Sequence, residues 1–106
     1  MAFDEGSNEG SLTGTTPVTV VAAPASGKRI VKYMSLHNRD SVAHVVTILA
    51  NAKIVWKGTL NVGDTWEFGD TNEIIVLTSS KSITMASDAT ATTTELEYQA
   101  AYGDHT

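Results

Sequence analysis

The sequence predicts an all-β fold: a single antiparallel β-sandwich or jelly-roll-like barrel of about eight strands, preceded by an extended N-terminal arm. After Pro17, runs rich in Val, Ile and Thr alternate with clusters of Gly, Asn, Asp and Ser, and the spacing is about ten residues. Period-two patterning is plain in IVWKGTL, where Ile54, Trp56, Gly58 and Leu60 share one face. It recurs in ELEYQAAY, where Leu96, Tyr98, Ala100 and Tyr102 oppose Glu95, Glu97 and Gln99. No window of about ten residues or more carries a 3.6-residue apolar period bounded by caps, so helix is at most a minor element.

Residues 1–16 read as the arm and 17–106 as the domain. MAFDEGSNEGSLTGTT holds Phe3 and Leu12 as its sizeable apolar groups. Ordering about 16 such residues costs on the order of 16 kcal/mol, which calls for extensive contacts with something large, such as a neighbouring subunit. Strands are then expected at Val18 to Ala23, Arg29 to His37, Val42 to Ala50, Lys53 to Leu60, Thr65 to Phe68, Glu73 to Thr78, Ser82 to Ala86 and Thr93 to Tyr102. Pro24, Ser26 and Gly27 break the first pair, and Asn38, Asp40 and Ser41 the second, since Asn and Asp tolerate left-handed backbone. Asn51-Ala52 is a short hairpin candidate. Reversals follow at Asn61 to Asp64, Gly69 to Asn72 and Ser79 to Lys81.

The 106 residues suit one domain with one core, and 42% hydrophobic residues suffice to fold most of the chain. A net charge of −5 opposes attraction to a phosphate backbone or an anionic lipid surface, so neither nucleic acid nor membrane is an expected partner. There is no cysteine, which removes disulfides, thiolate metal sites and thiol nucleophiles. The acidic start, MAFDEGSNEG, lacks the apolar core of a secretory signal, and no run approaches the roughly 18 apolar residues that span a bilayer. Synthesis in the cytoplasm is the expectation.

Two constellations could carry chemistry. His37, Asn38, Arg39, Asp40 and His44 gather two imidazoles and a carboxylate that could ligate zinc, but a structural zinc site takes four protein ligands, and His105 lies in the terminal GDHT. The simpler reading is a hairpin closed by Asn38 to Ser41, with Arg39 and Asp40 at a solvated tip and His44 at an edge or interface. Asp64, Glu67, Asp70 and Glu73 fall three residues apart across GDTWEFGDTNE. They lack the pattern of a calcium loop and read as the outward face of a strand whose Trp66 and Phe68 point in. No serine stands in a G-x-S-x-G elbow, and neither a P-loop nor a dinucleotide fingerprint is present. No catalytic residue, cofactor or metal site is expected, and the chain is read as non-enzymatic.

The stretch KRIVKYMSLHNRDSVAHVVTILANAKIVWKGTLNVGDTWEF, followed by EIIVLTSSKSITMAS, resembles small β-sandwich proteins of tailed-bacteriophage virions, most of all capsid decoration (cement) proteins. The likeness spans about Gly27 to Tyr102 and rests on the R-I-V-K start, the H-N-R-D-S strand end and the G-D-T-W turn. It implies a non-enzymatic protein, often trimeric, that binds the outer capsid surface and stabilises the shell by bridging subunits. Its partners would be the major capsid protein or other virion subunits. Phe3, Leu12, Asn38, Arg39, Asp40, Asp70 and Asn72 are the candidate partner contacts. A tail, neck or head-tail connector component is the alternative within a virion. A carbohydrate-binding module, with exposed coplanar Trp56 or Trp66, is the alternative outside one.

Overall fold

The computed structural model describes residues 3–12, 14–69 and 74–105. Nine strands follow one another, with no helix among the described residues: β1 (Phe3–Ser11), β2 (Val18–Val21), β3 (Lys28–His37), β4 (His44–Ala50), β5 (Lys53–Leu60), β6 (Thr65–Phe68), β7 (Ile75–Leu77), β8 (Ile83–Ser87) and β9 (Glu97–His105). They form two antiparallel sheets. One has the order β1-β9-β3-β6 with β7 also on β3, and the other has the order β2-β8-β4-β5. β6 and β7 pair with successive parts of β3 and act as one interrupted strand. The result is a β-sandwich of jelly-roll connectivity, in which nearly every connection passes from one sheet to the other.

The period-two pattern builds the core as expected. Val31, Met34 and Leu36 of β3 face Val46 and Ile48 of β4 and Ile83 and Met85 of β8, with Leu96, Tyr98 and Ala100 beside them, all buried. At about 25 cal/mol per Å² of apolar surface, these facing stripes are the main driving force for closing the two sheets.

The segment expected to be an arm is built into the chain's own sheet: Phe3–Ser11 pairs with β9 in nine register pairs, from Phe3↔His105 to Ser11↔Glu97. It supplies the strand that completes the sheet, and Leu12 joins the core. Its composition hides this role, because the inward positions of β1 are Gly6, Asn8 and Gly10. An added Cβ would fall 2.6 Å from Tyr102 at Gly6 and 2.7 Å from Tyr98 at Gly10, so β9 supplies the bulk that β1 lacks.

Two local expectations change. Asn38 to Ser41 does not close a hairpin, because β3 and β4 lie in different sheets; the stretch is a corner between them. The hairpin that does form is β4–β5, at Asn51 and Ala52 with φ of 51° and 65°, a primed turn that suits the strand twist. Ile54 also leaves the face it was expected to share with Trp56. The β4–β5 register shifts between Ile48↔Trp56 and Leu49↔Ile54, and this bulge turns Ile54 out to 63% exposure.

Candidate functional site

The corner Asn38–Ala43 is where the residues with chemical potential come together. Asn38 and Asp40 are 1% and 2% exposed, so Asp40 is not at a solvated tip. A buried amide or carboxylate must find partners, and both do. Asn38 Nδ2 donates to the carbonyls of Val42 at 3.0 Å and Leu60 at 2.9 Å, while its Oδ1 accepts from the Asp40 amide at 2.9 Å. Its backbone bonds Asp64 and Gly63, which ties this corner to the β5–β6 connection.

Asp40 binds the third connection at the same end of the sandwich. Its carboxylate accepts from the amides of Thr92 at 2.8 Å, Thr93 at 2.7 Å and Thr94 at 3.3 Å, from Thr93 Oγ1 at 3.0 Å and from the Ser41 amide at 2.8 Å. Burial pushes its pKa up, but the Thr92 amide, the His44 imidazole and the Thr93 and Ser41 amides push it down harder. The carboxyl is held well below the usual range.

His44, 2% exposed, is fixed between two side chains: Nε2 lies 2.6 Å from Asp40 Oδ2, and Nδ1 lies 2.7 Å from Ser87 Oγ. Beside the Asp40 carboxylate, Nε2 carries a proton and donates, while Nδ1 is in hydrogen-bond contact with the Ser87 hydroxyl, which also reaches Asp88 Oδ1 at 3.3 Å. Asp88 Oδ1 stands 3.3 Å from the same Nδ1. Ser87, at 6% exposure, follows Ile83 and Met85 in the inward series of β8. A polar residue at that place needs a buried partner, and a serine continuing the inward I-x-M-x-S alternation of β8 is the signal for it in the sequence.

Ser87, His44 and Asp40 thus form a serine–histidine–aspartate chain. In a hydrolytic triad the serine meets Nε2 and the aspartate meets Nδ1; here the two are reversed. The Asp40 oxygens are also taken up by the amides of residues 92–94. What the arrangement does is hold three connections together: 38–43, 60–64 and 87–94. Two surface grooves lie elsewhere, along β1 and β9. One is lined by Ser7, Asn8, Glu9, Tyr33, Gln99, Ala100 and Ala101, the other by Glu9, Gly10, Ser11, Glu97, Tyr98 and Gln99.

No family model and no curated protein matches the chain. Among solved structures, it is similar to a chain of the Bacillus endospore appendages, described as a novel family of disulfide-linked pili. The identity is 15% and the TM-score 0.57, over 97% of this chain and 86% of that one. The likeness is one of fold, and this chain has no cysteine for a disulfide link. A chain of the cyanophage Pam1 capsid asymmetric unit matches at 14% identity over 96% of this chain and 81% of that one, with a TM-score of 0.38, too low to bear on function.

The remaining candidate residues are scattered. Arg39 is exposed and pairs with Glu97 at 3.0 Å. Leu12 is in the core, and Phe3 stands in β1 opposite His105. Asp70 and Asn72 lie outside the described residues. His37 faces Thr65 across β3 and β6, on the sheet that does not contain His44. Trp56 and Trp66 stack on each other with centroids 5.8 Å apart, and Trp66 stacks on Phe68. The half-buried tryptophans and the buried Phe68 close the side of the sandwich between β5 and β6.

The two outer faces differ in chemistry. Residues opposite each other in an antiparallel ladder share a face. Outward from the β2-β8-β4-β5 sheet therefore stand Thr19, Thr84, Ala86, Val45, Thr47, Leu49, Thr59 and Ile54, with Lys57 as the charge among them. Val45 and Ile54 are exposed at 36% and 63%. The other sheet turns outward Glu9, Gln99, Ser35 and Glu67 in one row and Ser11, Glu97, His37 and Thr65 in the next.

Proposed function

We propose that this protein is a non-enzymatic structural subunit of a bacteriophage virion, which binds the outer capsid surface and bridges capsid subunits as a decoration protein. The reading is carried by the outer face of the β2-β8-β4-β5 sheet, where the paired rows hold short β-branched and apolar side chains with Lys57 as the one charge among them. Depletion of charge with retained apolar area is the composition of an interface centre. The sequence likeness to phage decoration proteins supplies the partner. A non-enzymatic role accords with the reversed, sealed serine–histidine–aspartate chain, whose bonds serve the connections. Binding the assembled shell in preference to free subunits stabilises the shell by mass action.

The test is pelleting of labelled protein with shells of the phage that encodes it. A Thr47→Glu, Leu49→Glu variant places two carboxylates on this face, one opposite Lys57 and one beside Ile54, and is expected to weaken binding at least tenfold. Glu9→Gln, on the opposite face, is expected to change it little. Full binding by the doubly substituted protein, shown by its melting curve to be folded, removes this face from the reading. Copy number per particle separates shell from neck or tail. A fluorophosphonate probe is expected to leave Ser87 unlabelled, and an adduct there would overturn the non-enzymatic assignment.

A further inference from the structure

We infer that β1 is an exchangeable strand, and that the slot along β9 accepts the Gly6–Gly10 strand of a second copy of this chain in place of its own. Between Gly6 and Ser11 the strand buries no side chain fully, unlike β3, β4 and β8, each anchored by several core residues. It is held by the backbone ladder to β9, by Asn8 Nδ2 donating to the Val20 carbonyl at 2.9 Å and by Leu12 at its end.

The slot is nonetheless selective. Tyr98 and Tyr102 lie over Gly10 and Gly6, so a Cβ at either position would have to displace a tyrosine ring, and the slot favours a strand whose two glycines, four residues apart, meet the two tyrosines. Arg29 stacks 4.3 Å over the Tyr102 ring while its guanidinium pairs with both oxygens of Asp104, which fixes that wall of the slot.

The connection allows release. Gly14 is still tied to the domain, its carbonyl accepting from the Ser87 amide at 3.0 Å, but Thr15, Thr16 and Pro17 are exposed. A residue before proline favours extended backbone, so the link is biased to run straight rather than fold back. If residues 3–14 move to a neighbour, every contact named above is remade there with the same partners, which is the condition for low-cost swapping. The choice between own slot and neighbour's slot is then set by concentration. A short tether gives an effective concentration on the order of millimolar, so dilute chains keep β1 at home and copies crowded at an assembly exchange it. The inference does not rest on the capsid reading: exchange is read on purified protein and shell binding on particles.

The absence of cysteine makes the test clean. Ser7 and Ala101 are register partners on the outer face. Chains carrying Ser7→Cys and chains carrying Ala101→Cys are mixed at about 1 mM, warmed and oxidised, and the S7C–A101C heterodimer is quantified by mass spectrometry. It is expected to exceed the off-register pairing of S7C with Q99C at least tenfold, and to fall at least tenfold when the mixture is diluted to about 10 μM. Adding Gly10→Val to the S7C chain is expected to abolish it. Heterodimer no more abundant than the off-register pair overturns the inference, provided the S7C/A101C double variant closes its intrachain disulfide and so shows that the native register forms.

Discussion

Asp40 concentrates six hydrogen bonds on one carboxylate, from His44, Ser41, Thr92, Thr93 twice and Thr94. Asp40→Ala leaves four part-buried amides and a buried imidazole without this acceptor, and the expected result is a fall in Tm on the order of 10 °C. Arg39→Ala, one residue away, loses an exposed ion pair worth about 0.5 kcal/mol or less and should leave Tm nearly unchanged. The pH dependence has a definite sign. The folded pKa of Asp40 lies below its ordinary 3.8, so its stabilising contribution is complete above that value and is lost as pH falls from there toward the folded pKa. Asp40→Asn lacks this titration, and below about pH 4 its stability should fall less steeply than that of the native protein in urea titrations. Little of this was legible. HNRDSVAH gives the residue types, but whether Asp40 faces water or the amides of 92–94 depends on β3 and β4 lying in different sheets, which pairing signals within a short window do not reveal.

Strand existence was legible from side-chain period, and strand partnership was not. The run Lys53–Leu60 appears within its expected bounds, as does Thr65–Phe68, because alternation and flanking turn residues are local properties. The bulge that turns Ile54 outward depends on how β5 meets β4, and the role of Phe3–Ser11 depends on two tyrosines more than 80 residues away in sequence. β1 shows how far partner chemistry can override propensity: a strand of Gly, Ser, Asn and acids is specified by the rings of β9. The aromatic closure between β5 and β6 gives a test at this scale. Trp56→Ala should cost about 2–4 kcal/mol by opening the stack with Trp66, whereas Ile54→Ser, two residues earlier on the bulge, should stay within about 0.5 kcal/mol. Comparing the urea midpoints of the two variants checks the pair, and equal losses would contradict the outward turn of Ile54.

The whole molecule presents water with two unlike sides, and that asymmetry decides how its association should respond to salt. The β1-β9-β3-β6 side carries Glu9, Glu67 and Glu97 at one end, with Glu97 paired to Arg39 and Val76 exposed further along β7, while the opposite side offers Lys57 among threonines and apolar groups. Contacts between exposed charges are screened beyond about 8 Å at physiological ionic strength, so an acidic docking face would lose affinity steeply with added salt. Burial of uncharged surface is indifferent to such screening and strengthens in strongly hydrated salts. If the capsid reading holds with the β2-β8-β4-β5 face inward, raising sodium chloride from about 50 to about 500 mM should change the Kd for shells by less than about threefold, and sulfate should tighten it. A tenfold or greater weakening across that range would place the acidic face against the partner. The Thr47→Glu, Leu49→Glu variant and Glu9→Gln would then exchange roles in the pelleting experiment.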